Sequence, residues 1–138
     1  MFHYPNTRKE YKKHLRPASC PFCNVEELKQ RKFIETEHAY IVPNKTSYDL
    51  WEARDVKDHL LVLPKRHVLK LSELTAEEAA DLMKIFADYE AKGYNVYARG
   101  VNSTMRSVPH QHTHLIKTSP KEHHGTVFMR KPYMFFKF

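Results

Sequence analysis

His110-Gln111-His112-Thr113-His114-Leu115-Ile116 sets three histidines at every second position and runs directly into an apolar pair. In an extended strand successive side chains alternate faces, so residues two apart share one face. The three imidazoles then stand in a row, roughly 7 Å apart along the chain. Groups that titrate near pH 6.5 suit proton transfer, metal ligation or nucleophilic attack at neutral pH. With Val108 ahead of it and Leu115-Ile116 behind, the run reads as part of a strand from Val108 to Lys117, not as a solvated tail.

Outward from that strand, Tyr94 to Val101 reads as its neighbour and Asn102 to Arg106 as the turn between them. Leu74 to Lys92 is the strongest helix. Thr75 and Glu78 make a capping box, Leu82, Ile85, Phe86 and Tyr89 form an apolar stripe, and Gly93 suits the position after the helix. Glu77, Glu78 and Asp81 fall on its solvent face. His59 to Leu63 is a short apolar strand ended by Pro64. Pro43 to Asp58 has no clean period and reads as a loop with a turn of helix around Trp51. Phe33-Ile34 and Ala39 to Val42 alternate as two strands, and Val25 to Lys32 is a short helix. Asn6 to Arg16 is a basic helical arm with Tyr11 and Leu15 four apart and Pro17 as its stop. The segment from Gly125 to Phe138 is too aromatic to stand in water, so it adds strands or packs on a partner.

These elements predict an α+β fold: an antiparallel sheet of about five strands with helices on one face. We expect one domain over residues 1–138, with a basic arm (1–19), a core (20–117) and an aromatic tail (118–138).

At 41% hydrophobic and 28% charged residues, the 138-residue chain has the balance of a globular protein. No apolar run approaches the roughly 18 residues of a membrane span, and the N-terminus lacks the apolar stretch of a signal peptide, so a cytoplasmic location is expected. Net charge is +7, from 23 Lys and Arg against 16 Asp and Glu. That balance favours anionic partners: nucleotides, polyphosphates or nucleic acid. Of the other histidines, His3, His14, His38, His123 and His124 read as surface residues.

The two cysteines, Cys20 and Cys23, are spaced C-x2-C. In a cytoplasmic chain this is a redox pair or half of a zinc site. A loop, Arg16-Pro17-Ala18-Ser19, precedes them where a redox pair would follow a strand. Structural zinc is therefore preferred, and its remaining ligands must be histidine or carboxylate.

Three segments in order resemble the histidine-triad (HIT) family: Cys20-Pro21-Phe22-Cys23, the run from His59 to His67 with Pro64-Lys65 inside it, and Ser107-Val108-Pro109-His110-Gln111-His112-Thr113-His114-Leu115. The resemblance covers most of Cys20 to Lys117. It implies an antiparallel sheet with flanking helices, a homodimer whose sheets join, and hydrolysis or transfer of nucleotidyl groups at the α-phosphate of nucleotides or dinucleoside polyphosphates. It implies His112 as the nucleophile that becomes nucleotidylated, His114 at the phosphate or leaving group, and His59 as their support. Cys20, Cys23, His67 and His110 match the ligands of zinc-bearing members. Ser107 matches a phosphate donor and Asn44 a ribose contact.

The chain departs from the family's pattern at Met105-Arg106, where a Gly-rich turn is usual, and at Arg99, where an Asn is usual. Both arginines are thus candidates for gripping phosphate. Tyr48 and Trp51 are candidates for a base-stacking lid, or for plain core or dimer contacts. Two other readings compete. One is a hydrolytic metal site made by the triad itself. The other is a non-catalytic, basic nucleotide- or nucleic-acid-binding module, and steep salt dependence of binding would favour it.

Overall fold

In the computed structural model, which describes residues 2–13 and 19–138, one long strand organises the molecule. In chain order the elements are α1 (Pro5–Lys13), α2 (Val25–Lys29), β1 (Ile34–Glu35), β2 (Ala39–Pro43), β3 (Leu50–Trp51), β4 (Arg54–Pro64), α3 (Ala76–Ala91), β5 (Asn95–Tyr97), β6 (Thr113–Glu122), β7 (Thr126–Arg130) and β8 (Tyr133–Lys137). A short 3-10 turn, Leu71–Glu73, leads into α3. The main sheet is antiparallel, in the order β1-β2-β4-β6-β5, with β3 also pairing with β4.

Alternation along β4 divides the apolar residues between the two faces. Leu60 and Val62 meet Ile41, Leu115 and the buried α3 residues Leu82, Ile85 and Tyr89. Leu61 and Leu63 meet Val42, Val108, Phe22 and Leu28 of α2. Each such aliphatic or aromatic side chain contributes about 2 kcal/mol by leaving water. The expected α+β architecture is present. The long helix covers one face, and the five-residue α2 places Leu28 against the other. Thr75 and Glu78 form the predicted capping box, and Gly93 takes a left-handed φ of 84° just past the helix.

Several boundaries differ from expectation. Pro43 to Asp58 is not a loop with helix: Leu50-Trp51 pairs with Arg54-Asp55 in a tight hairpin, so β4 starts five residues before His59. Its turn holds Glu52 and Ala53 at φ of 51° and 57°, a conformation usually advertised by Gly or Asn. The triad strand proper begins at Thr113 and continues to Glu122, so only His114 of the three histidines lies in it. It also crosses the expected border between core and tail. The strand expected over Tyr94 to Val101 is three residues long.

The aromatic tail forms a separate two-stranded sheet, β7 with β8. Phe128 and Phe135 contact Phe2, and Tyr133 donates to the His3 carbonyl at 2.8 Å. Helix α1 matches the first part of the expected arm; Leu15, Arg16, the Pro17 stop and His14 lie outside the described residues. His3, expected at the surface, is 1% exposed beneath this sheet. His123 is half-buried against Asp55 at 3.1 Å. Glu78 is buried rather than solvent-facing, where it takes both arms of Arg66 at 2.8 and 2.9 Å and has its carboxyl held down at about 2 by that guanidinium. Asp81 accepts from the Thr36 hydroxyl and the His38 amide.

Candidate active site and metal cluster

Register places the reactive groups together. His114 sits opposite Leu61 on one side and Tyr97 on the other, and His59 sits opposite Ile116. All of these therefore share the face opposite α3. His112, just before β6, follows the same alternation. With Phe22, Asn44, Thr46, Tyr48, Arg99, Met105 and Ser107, His112 and His114 line a narrow cleft of about 50 Å³.

The hydrogen bonds fix the tautomers. The Tyr48 amide donates to His59 Nδ1 at 3.0 Å, so the hydrogen of neutral His59 is on Nε2. That nitrogen lies 2.9 Å from His114 Nδ1 and donates to it. Neutral His114 then carries its hydrogen on Nε2, which is buried and has no partner among the described residues. An N–H aimed at no protein acceptor is suited to a ligand oxygen. His112 Nδ1 donates to the His110 carbonyl at 2.7 Å, which leaves Nε2 as the lone-pair nitrogen of a ring that lines the cleft. Burial, the largest cause in each case, lowers His112 to about 4, His59 to about 3 and His114 to about 2. All three are neutral at pH 7.

Aromatic rings set the walls. Tyr48 is 3% exposed and lies stacked against His114, with ring centroids 5.4 Å apart, and against Trp51 at 5.9 Å. It is a floor, not a mobile lid, and Trp51 braces it against Tyr97. Phe22 meets His112 edge-on at 5.2 Å. Arg99 donates to the Tyr48 hydroxyl at 2.9 Å and brings a cation to the cleft. Arg106 does not reach it. Its guanidinium donates to the Leu69 carbonyl and to Gln111 Oε1, so the expected phosphate grip at that position gives way to a loop tether. Tyr48 announced itself only as an aromatic residue in a stretch without period. Thr46 and Phe22 carried no sequence signal for the cleft.

Cys20, Cys23, His67 and His110 form a second cluster, with their ligand atoms all within 4.8 Å of one another. Cys23 Sγ is 3.2 Å from His67 Nδ1 and 3.5 Å from His110 Nδ1; Cys20 Sγ is 3.5 Å from His110 Nδ1, and the two Nδ1 atoms are 3.1 Å apart. The edges of a tetrahedral Cys2His2 zinc site are roughly 3.3 to 3.8 Å, from its usual bond lengths. His110 Nε2 donates to the Pro64 carbonyl at 2.9 Å, which turns the Nδ1 lone pair toward the cluster as a metal ligand requires. The four residues can hold a metal ion. The triad does not form a metal site by itself: His110 belongs to the thiol cluster, and His112 and His114 face the cleft.

A family model described as HIT domain matches residues 25–121. The bis(5'-adenosyl)-triphosphatase of Saccharomyces cerevisiae (strain YJM789) is 35% identical over 95 residues, covering 62% of this chain and 46% of that protein. The adenosine 5'-monophosphoramidase of Schizosaccharomyces pombe is 34% identical over 73 residues, or 50% of this chain and 54% of the relative. The chain thus spans about half the length of these curated relatives. Among solved structures, a hypothetical protein from Leishmania major superposes with a TM-score of 0.58 at 29% identity, covering 76% of each chain. A HIT family hydrolase from Clostridium thermocellum gives 0.56 at 18% identity, over 82% of this chain and 99% of that one, a likeness of fold.

Proposed function

The chain belongs to the HIT domain family, and on that footing we propose that it cleaves a nucleotide or dinucleoside polyphosphate at the α-phosphate, with His112 as the nucleophile. One observation carries this reading: a neutral His112 is locked by the His110 carbonyl with its Nε2 lone pair on a cleft that also holds a cation and spare donors. In the first step Nε2 forms a bond to the α-phosphorus while the bond to the leaving group breaks, its electron pair departing with that group. In the second, water or another acceptor takes the nucleotidyl group and the ring is restored. His114 Nε2–H, the Ser107 hydroxyl and Arg99 supply hydrogen bonds and positive charge to phosphate oxygens where negative charge develops. A phosphate leaving group departs as an anion and needs no proton. Asn44, which lines the cleft with its Oδ1 held by the Thr46 amide at 3.1 Å, would take a ribose hydroxyl in this reading.

The activities named for the two yeast relatives, on bis(5'-adenosyl) triphosphate and on an adenosine 5'-phosphoramidate, are the first to test. Replacing His112 with Ala is expected to lower turnover of diadenosine triphosphate by roughly a thousandfold or more, with metal content unchanged and the chain still folded. Turnover within tenfold of wild type would contradict the assignment.

Cys20, Cys23, His67 and His110 would hold zinc in a structural role. The ion would tie the segment before α2 to the end of β4 and to the residue two before His112. We also read the protein as a cytoplasmic homodimer. The outer edge of β5 has no strand partner among the described residues, and a second copy pairing there would continue the sheet.

A further inference from the structure

Helix α1, the loop over residues 45–49 and strand β8 enclose an open basin of about 890 Å³. Its size falls in the range of cavities that take small organic ligands, roughly 300 to 1,000 Å³. Thr46 and Tyr48 line both this basin and the cleft over His112, so the two adjoin across a single loop. Two of the basin's walls, α1 and β8, lie outside the residues that the HIT domain model matches.

The basin's charges are unevenly committed. Lys9, Lys45, Lys57 and Lys137 line it. Lys45 pairs with Glu27 at 3.6 Å and Lys137 with Asp55 at 2.6 Å, while Lys9 and Lys57 enter no ion pair among the described residues. The carboxylates present are engaged. Asp49 accepts from the Tyr4 amide at 2.6 Å and the Thr7 hydroxyl at 3.3 Å, Asp55 holds Lys137, and Glu10 has its own partner. The lining thus sets four lysines against three carboxylates, a small positive excess, beside a narrow site that has room for little more than the reacting phosphate.

We propose that this basin is the subsite for the leaving half of the substrate, and that it takes a polyphosphate chain with or without a second nucleoside. The proposal rests on the reading of His112 given above. When His112 Nε2 bonds to the α-phosphorus, the bond from that phosphorus to the bridging oxygen breaks. The bridging oxygen keeps the electron pair and leaves as the terminus of the polyphosphate. Lys9 and Lys57 hold that anion past Thr46. The appended arm and tail thereby select long anionic leaving groups over small ones.

The test uses the full chain with both lysines replaced, Lys9→Ala with Lys57→Ala. Calorimetric titration with inorganic tripolyphosphate is expected to show binding to the wild type and roughly fivefold weaker binding to the double variant. The KM for diadenosine tetraphosphate is expected to rise by a similar factor of about five at constant kcat, with adenosine 5'-phosphoramidate turned over as by wild type. Equal tripolyphosphate binding by the two proteins, or an equal loss on both substrates, would overturn the proposal. Turnover of neither substrate by wild type would overturn the role of His112 instead, and tripolyphosphate binding would still decide the basin by itself.

Discussion

A single backbone amide, that of Tyr48, decides which nitrogens carry hydrogen in two buried histidines. Its donation to His59 Nδ1 passes through the ring to His114 and ends on an N–H that faces the cleft. His59 is held neutral by burial, with its pKa lowered to about 3. Its unfolded counterpart titrates near 6.5, so the unfolded chain binds the extra proton first as pH falls. Stability is therefore complete above pH 6.5 and declines below it, by up to about 1.4 kcal/mol per pH unit from this residue. Denaturant unfolding at pH 7 and pH 5 is expected to show a smaller loss in His59→Gln than in wild type; equal losses would argue against a neutral, buried His59. The residue types at this site were legible in the sequence, because spacing in a strand encodes a shared face. Environments were not. The capping box marks Glu78 but does not reveal its clamp by Arg66, and nothing near His3 foretells that a hairpin more than a hundred residues away will cover it. Arg106 had the charge for a phosphate and the wrong direction.

At the level of elements, the appended tail depends on a few polar contacts. Asp55, next to the β3–β4 turn, takes Lys137 of β8 at 2.6 Å and His123 at 3.1 Å. The hydrogen bond from Lys137 is the main cause that lowers its carboxyl to about 2. This latch is fully formed above the ordinary carboxylate pKa near 3.9 and is lost as pH falls through about 2. Replacing Asp55 with Asn is expected to speed amide hydrogen exchange across 126–137 at neutral pH while leaving α3 unchanged. Unaltered exchange in β8 would mean that the aromatic contacts with Phe2 suffice. The latch residue lies in the stretch that sequence periodicity could not parse. A hairpin whose turn is Glu52-Ala53 lacks the Gly or Asn that marks left-handed positions, so β3 and the first half of β4 stayed hidden. By contrast, α3 was legible end to end, since Thr75, Glu78 and Gly93 mark its limits chemically.

Across the whole molecule, two sites share one segment. His110 turns its ring into the Cys20–Cys23–His67 cluster while its carbonyl orients His112. A metal there would brace the segment that holds His112 without entering the cleft. Purified protein is expected to contain one zinc per chain, and chelation to lower the unfolding temperature by roughly 10 °C or more. Cys23→Ser should show the same lowered temperature without chelator. Retention of full stability without metal would make the cluster incidental. The order of the three motifs was enough to anticipate the fold and the meeting of Cys20, Cys23, His67 and His110. The basin beside the cleft was not legible, because it is formed where the two ends of the chain meet the 45–49 loop.

The most direct trial is to mix the protein with diadenosine triphosphate, quench within the first turnovers and map adducts by peptide mass spectrometry. An adenylyl group on the peptide carrying His112, confined to that ring and absent from His112→Ala, is the predicted result. Steady turnover with no adduct at any early time, or with the group on another residue, would contradict the assignment of His112 as nucleophile.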